Sequence, residues 1–235
     1  MMYLVYDGEL SSDYGIYISG TKTFVRSQRE RAFQSVPGRN GDLIFDEGRY
    51  PNINIEYPAF IRDNFQDRYQ DFINFLNAHK SYARLMDTYH PEEYRLAIPE
   101  GRMDPVTGPN NWSGKFTLAF SCKPQRFLVA GEHVLPFTSD GSVYNPEKTE
   151  AQPLIRVYGS GVLSIGGDTL TIGSHSQAYM DIDCSLMDAH CGAVNLNSYL
   201  TLSSNNFPVF GPGETAITLG TGITSIEITP RWWRL

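Results

Sequence analysis

Val36-Pro37-Gly38-Arg39-Asn40-Gly41-Asp42, followed by Gly48-Arg49-Tyr50-Pro51-Asn52-Ile53-Asn54-Ile55-Glu56-Tyr57, is the stretch on which the fold reading turns. It reads as a strand, a glycine-bracketed turn, a short strand, a second turn and a long strand. Gly38 and Gly41 supply the positive φ that such a turn uses. Ile53, Ile55 and Tyr57 alternate with Asn54 and Glu56, the period of a half-buried strand, and Pro58 is expected to end it or to place it at a sheet edge. The stretch offers no nucleophile, no set of metal ligands and no phosphate-binding loop.

The pattern changes beyond it. Phe65, Tyr69, Phe72, Ile73 and Leu76 follow helical spacing, with Gln66, Asp67, Gln70, Asp71 and Asn74 between them, which predicts one helix over about 63–80. Asp63 or Asn64 is the expected N-cap and Lys80 the expected cation at the C-terminal end of the dipole. Strands are expected at Tyr82–Met86 and Tyr94–Ile98, and a loop at Gly101–Asn111. A cleanly alternating strand then places Phe116, Leu118, Phe120 and Cys122 on one face, so Cys122 reads as a small buried hydrophobe. Residues 131–150 show little periodicity and read as a linker between a domain at 1–130 and one at 151–235. The second domain predicts about eight short strands: Leu154–Tyr158, Val162–Ile165, Thr169–Ile172, Ala178–Asp183, Ala193–Leu196, Tyr199–Leu202, Thr215–Leu219 and Ser225–Thr229. Gly166-Gly167 forms a tight hairpin between two of them. The expected class is mainly β: a β domain carrying one helix, then an antiparallel sandwich or jelly roll.

The 235 residues are 41% hydrophobic and 19% charged, a composition of folded chains with a core. The net charge of -7 is uneven: residues 1–130 hold 15 basic against 16 acidic residues, and residues 131–235 hold 4 against 10. An acidic second half disfavours nucleic acid and anionic lipid, which need Lys and Arg. Lys22, Arg26, Arg29, Arg31 and Arg39, set against Glu30, form the one basic run; it reads as a solvated or ion-paired face, or as a contact for an acidic neighbour. Three cysteines, Cys122, Cys184 and Cys191, cannot all pair and predict folding in a reducing compartment. The first residues lack the basic and apolar regions of a signal peptide, and no stretch reaches the roughly 20 apolar residues of a membrane helix.

Chemistry is sparsely signalled. Asp181 and Asp183 flank Ile182 and fall on one side of a strand, where they read as its solvent face, with a glycoside-hydrolase pair or a calcium site as the sharper alternatives. Asp183, Cys184, His190 and Cys191 fit no common zinc spacing. Gly-x-Ser-x-Gly and the dinucleotide fingerprint are both absent. No catalytic residue, metal ligand or cofactor is therefore assigned. At the end of the chain Trp232 is in phase with Ile226 and Ile228 and belongs to the core. Trp233 falls opposite, where it stacks on a sugar, meets another surface or packs on the first domain.

Val36 to Asp42 with Tyr50-Pro51-Asn52-Ile53, Phe120-Ser121-Cys122-Lys123-Pro124, and Pro230-Arg231-Trp232-Trp233 together resemble the distal tail protein (Dit) family of long-tailed bacteriophages, across nearly the whole chain. The resemblance implies an N-terminal β-sandwich-like domain with one helix and a C-terminal galectin-like sandwich. It implies a structural hub of the phage tail tip or baseplate, an N-terminal hexameric ring, and no catalytic residues. It implies as partners the major tail tube protein, the tape-measure protein, the tail-tip lysin protein and the receptor-binding protein. It places the protein in the virion, after assembly in the host cytoplasm. Cyclic assembly also suits a β domain, because the exposed strand edges of one copy find partners on the next. Gly38, Arg39, Asn40 and Gly41 are the expected interface, Arg39 being either an intersubunit contact or a solvent-facing turn residue. A lectin-like module using Trp233 is the alternative function, and a glycoside hydrolase the third.

Overall fold

A computed structural model describes residues 1–20, 25 and 27–235. The expected basic residues Lys22 and Arg26 lie outside the described residues. The chain divides into two compact units, one of Met1–Arg126 with Leu235 and one of Phe127–Arg234.

The first unit contains strands β1 (Leu4–Tyr6), β2 (Glu9–Leu10), β3 (Ile16–Ile18), β4 (Arg31–Gln34), β5 (Leu43–Asp46) and β6 (Ile53–Ile61). Helix α1 (Phe65–Ala78) follows, then β7 (Ala83–Asp87), β8 (Glu93–Pro99), β9 (Val106–Thr107) and β10 (Gly114–Cys122). Its main sheet runs β2-β1-β7-β8-β10-β6-β3, with β9 on β10. The nine-residue pairing of β6 with β10 is the backbone of the unit, and every second residue of each strand points into one core. Ile55, Tyr57, Phe116, Leu118 and Phe120 meet Tyr6, Ile16 and Leu85 there, and α1 adds Phe65, Phe72 and Leu76.

The ends of this sheet meet. Met2 pairs with Ile18, whose N–H donates to the Met2 carbonyl at 3.0 Å. The buried Ser11 hydroxyl accepts from Leu4 N–H and donates to Ile16 C=O, each at 3.0 Å. The sheet is therefore a closed wall rather than a ribbon with two free rims. The expectation that neighbouring copies satisfy the rims of this domain fails for its main sheet. A single chain already covers them.

Three local expectations are corrected. β6 runs through Pro58 instead of ending at it. Its carbonyl accepts from Ser19 N–H at 2.7 Å, and the Ser19 carbonyl, which a strand N–H would otherwise fill, takes the Tyr89 hydroxyl. Asn64 occupies the N-cap with φ 46° and ψ 47° but makes no side-chain cap bond. The first turn is tied instead by Phe65 N–H to the Trp112 carbonyl at 3.1 Å, while Asp63 pairs with Arg68 at 2.8 Å. At the other end His79, not Lys80, meets the helix: Nδ1 lies 2.9 Å from Phe75 C=O and Nε2 3.0 Å from Asp7 Oδ2.

The second unit holds β11 (Arg126–Leu128) from Phe127 onward, β12 (Leu135–Phe137), β13 (Gly141–Asn145), β14 (Leu154–Gly159), β15 (Gly161–Ile165) and β16 (Asp168–Ile172). It continues with β17 (Met180–Asp183), β18 (Asp188–Cys191), β19 (Val194–Asn195), β20 (Leu200–Leu202), β21 (Gly213–Leu219), β22 (Ile223–Thr229) and β23 (Trp233–Arg234). Two antiparallel sheets, β12-β22-β14-β17-β18-β19 and β13-β21-β15-β16-β20, form a sandwich. Ile155, Val157, Ile182, Ile226 and Ile228 of the first face Leu163, Ile165, Leu170, Ile172 and Ile217 of the second in one core. Gly166 and Gly167, at φ 58° and 102°, form the two-residue hairpin loop between Ile165 and Asp168, a backbone path that favours glycine at both positions.

Residues 131–150, read as a linker, instead supply β12 and β13, each an outer strand of one sheet. Their signal is weak because β12 has three residues around Pro136. The segment is fixed by Asn145, whose buried side-chain amide donates at 2.9 Å to the Thr149 and Phe210 carbonyls. Among the described residues no helix is long and apolar enough to cross a membrane.

Ser11→Ala removes the hydroxyl that stitches β1 to β3 and strands two buried backbone groups. Urea unfolding of the full chain is expected to show a loss of about 1–3 kcal/mol. A loss within about 0.5 kcal/mol, the range of ordinary surface substitutions, would show that the seam does not depend on it.

Candidate interaction surface

β4 and β5 form a two-stranded sheet of their own, in register Arg31↔Asp46, Ala32↔Phe45, Phe33↔Ile44 and Gln34↔Leu43. This arm is capped by the stretch quoted first. Arg39 N–H donates to Val36 C=O at 3.2 Å, closing a four-residue turn with Pro37 second and Gly38 third at φ 80°. That is the type II arrangement, in which proline presets φ and the third position requires a positive value. The structure therefore places Gly38, Arg39, Asn40 and Gly41 together at the exposed tip of the arm.

The base of the arm is tied by charge and backbone. Glu30 N–H donates to Arg49 C=O and Glu47 N–H to Glu30 C=O, both at 3.0 Å. Asp46 lies 3.3 Å from Arg29 and 3.7 Å from Arg31, and Arg49 pairs with Glu30 at 2.6 Å. The described part of the basic run is thus partly an internal ion-pair set, while Arg39 sits free of it at the tip.

Strand alternation puts Phe33 and Ile44 on one face of the arm and Phe45, Ala32 and Leu43 on the other. Phe33 is 64% exposed, Ile44 60% and Phe45 51%. The sequence reading missed these three, although Leu43-Ile44-Phe45 between two glycine turns is a short apolar run without alternation, the pattern of a strand covered on both faces. Full burial of such side chains is worth about 1.5–3 kcal/mol each, so the arm leaves a large favourable term unrealised in a single chain.

The sites expected on chemical grounds are otherwise occupied. Asp181 and Asp183 are only 5% and 6% exposed, which corrects their reading as a solvent face. Arg156 grips Asp181 with two bonds of 2.7 and 2.9 Å, and Arg231 grips Asp183 at 2.8 and 2.9 Å. Each carboxylate is consumed by a guanidinium, an arrangement that holds strands together and leaves no acid or base to serve a glycosidic bond. Cys184 is buried, which pushes its thiol up to about 12. No group of three acidic, histidine or cysteine side chains among the described residues is placed to hold a metal. Trp232 is buried as expected. Trp233 is half-buried against the core of its own sandwich, with the indole N–H donating to Glu150 C=O at 2.8 Å. It is a wall of the fold rather than a free platform.

A cavity of about 780 Å³ in the first unit is lined by Tyr57, Asp87, Glu93, Arg95 and Arg126, among others. Its polar groups also serve the fold. Asp87 accepts from the Tyr57 hydroxyl at 2.8 Å and from the Tyr89 and His90 N–H groups at 3.0 and 3.1 Å. Burial, then the Asp87 charge, drives the Tyr57 hydroxyl well above its usual range, so it stays a donor. Arg126 lies 3.4 Å from Glu93, and Arg95 donates to the Lys123 and Pro124 carbonyls.

The arm, the helix and the long β6–β10 pair all lie within residues 10–122, and these residues match the family model described as the phage tail protein RIFT-related domain. Over its full length the chain superposes on the Dit protein (gp 19.1) of phage SPP1, covering 100% of both chains with a TM-score of 0.70 at 15% identity. The fold of this chain is Dit-like. Its fold is also similar to chains in two structures of the phage p2 baseplate in its activated conformation. The one with strontium gives a TM-score of 0.53, covering 100% of this chain and 98% of that one, and the one with calcium gives 0.50, covering 97% of each, both at 10% identity. No curated protein matches the chain.

The Asp183–Arg231 pair makes the stability of this chain depend on pH. Burial alone would raise the Asp183 carboxyl. The Arg231 guanidinium and the Leu186 and Ser185 N–H groups outweigh it and hold the carboxyl below the usual carboxylate range. A group depressed on folding contributes stability above its unfolded pKa of about 3.9 and loses it as pH falls through the folded value. Asp183→Asn is therefore expected to be less stable than wild type at pH 7, with the two acid-unfolding curves converging below about pH 4. A constant difference across that window would remove the ion pair as the cause.

Proposed function

We propose that this chain is the hub of a phage tail tip. In this reading its first domain closes with five further copies into a ring continuing the tail tube, and the arm is the element that links each copy to the next. The observation that carries this reading is the arm itself: a two-stranded ribbon with large apolar side chains on both faces, exposed among the described residues, within a Dit-like fold. A two-stranded ribbon is marginal in water by itself, and a pair of apolar faces needs a partner surface. The tip residues Gly38 to Gly41 are then the leading edge of the contact, and Arg39 is available to a carboxylate on the neighbour.

The partners follow the same reading. The ring joins the major tail tube protein on one side to the tape-measure and tail-tip lysin proteins. The second domain carries or contacts the receptor-binding protein. The chain contributes surfaces to this assembly and no chemistry. Its place is the virion, reached by assembly in the host cytoplasm, where three unpaired thiols are stable. SPP1 Dit is described as a paradigm of the hub adsorption apparatus in phages infecting Gram-positive bacteria, and the likeness of fold supports a hub role here.

Native mass spectrometry and negative-stain imaging of the full chain, alone and with tail-tube protein, test this. A closed ring is expected, and the double variant Phe33→Asp with Phe45→Asp is expected to leave monomers that retain the wild-type thermal unfolding profile. A chain that stays monomeric at high concentration and in the presence of tail-tube protein would sink the reading.

A further inference from the structure

The turn that caps β4 and β5 ends in a chemically labile dipeptide. Asn40 is the only asparagine of the chain followed by glycine. Both residues are exposed, and Gly41 has φ 80° with open space where a Cβ would stand. Neither the Asn40 side chain nor the Gly41 N–H makes a hydrogen bond among the described residues. The carboxamide is thus unrestrained. The nitrogen that follows it is neither shielded by a side chain nor occupied by an acceptor, and glycine gives the backbone freedom to approach.

The comparable positions elsewhere in the chain are held. Asn197, followed by the small Ser198, donates from Nδ2 to Asp188 at 2.7 Å, and its Oδ1 accepts from Ala189 N–H at 2.6 Å. Asp7 and Asp140 are the two aspartates followed by glycine. Asp7 Oδ2 lies 3.0 Å from His79 Nε2, and Asp140 accepts from Leu219 N–H at 2.9 Å. Each of these side chains must break a contact before its carbonyl carbon can be attacked. Asn40 has none to break.

We propose that Asn40 is a site of spontaneous deamidation, a covalent record of the age of the chain. The Gly41 nitrogen, giving up its proton, bonds to Asn40 Cγ as the Cγ–Nδ2 bond breaks and ammonia leaves. One water then opens the five-membered imide. Opening at Cγ gives aspartate. Opening at the main-chain carbonyl gives isoaspartate, in which the backbone runs through the former side chain and gains one carbon. Nothing is oxidised or reduced, and water is the one co-reactant. Either product adds a negative charge to a chain of net charge -7. The new carboxylate stands between Arg39 and Asp42 and turns a balanced tip into a net negative one, a charge-changing modification of an exposed turn. The reaction belongs to the single chain and does not depend on the ring reading.

Peptide mapping of the folded full chain, held at mildly alkaline pH in water enriched in heavy oxygen, tests this. Mass spectrometry with electron-transfer fragmentation separates the two products. Heavy oxygen is expected in both aspartate and isoaspartate at position 40, at a rate at least about tenfold above that at Asn197, the ratio that a modest difference in barrier produces. An acidic species one charge apart is expected to accumulate on ion exchange in wild type and to be missing in Asn40→Gln, whose longer side chain closes the imide poorly. Urea is expected to speed conversion at Asn197, whose amide is then released, and to leave the rate at Asn40 nearly unchanged. An Asn40 that converts no faster than Asn197 in the folded chain would overturn the proposal. So would an Asn40 that stays intact until urea is added, because the folded tip would then be blocking the attack.

Discussion

A β protein must dispose of every strand edge, and the architecture of this chain follows from how it does so. An unpaired edge presents a row of N–H and C=O groups to any other strand, so native sheets close, cover or blunt their edges. In the first unit the sheet closes on itself. The Met2–Ile18 bridge and the Ser11 hydroxyl close the seam with three hydrogen bonds of 3.0 Å. In the second unit two sheets share one core and leave short or irregular strands outermost: β12 carries Pro136, and β19 and β20 have two and three residues. The arm alone uses neither device, and it is also where large apolar side chains stand in water on opposite faces.

Charge is managed by a parallel logic. A carboxylate inside a sandwich sheet is costly unless a guanidinium reaches it. Asp181 and Asp183 are answered by Arg156 and Arg231, two arginines from different parts of the chain, and each pair is bidentate. Removing one partner would leave a buried charge without compensation, which is why such pairs lock strand order more effectively than they add net stability. The same geometry removes both carboxylates from any chemistry.

Much of this was legible in the sequence wherever one face of an element is wet and the other dry. β6, β10 and α1 show their periods because each buries a single stripe, and Trp232 was placed in the core by its phase with Ile226 and Ile228. Legibility failed where tertiary context overrides the local rule. Pro58 lies inside a strand because Tyr89 supplies the donor that proline lacks. Asn64 begins a helix without capping it because the Trp112 carbonyl arrives from elsewhere in the chain. Residues 135–137 and 141–145 are too short and too proline- and glycine-marked to show alternation, and β18 lacks a stripe of its own. Asp181 and Asp183 looked solvent-facing because nothing near them in sequence announces Arg156 or Arg231. At the candidate interface the turn Val36–Arg39 was readable from Pro37 and Gly38, but Phe33, Ile44 and Phe45 were not. A ribbon that is apolar on both sides has no period to detect.

That missing period is itself an argument about assembly. A strand pair destined for solvent on one face evolves polar residues there at no cost to its core, and the long strands of this chain have done so. The arm has not, on either side. A surface contact with a flat partner would bury one face and leave the other wet, so apolar residues on both faces imply that the arm enters something rather than rests on it. In the proposed ring the arm of each copy is taken up once by the next copy, and a closed circle leaves no arm uncovered.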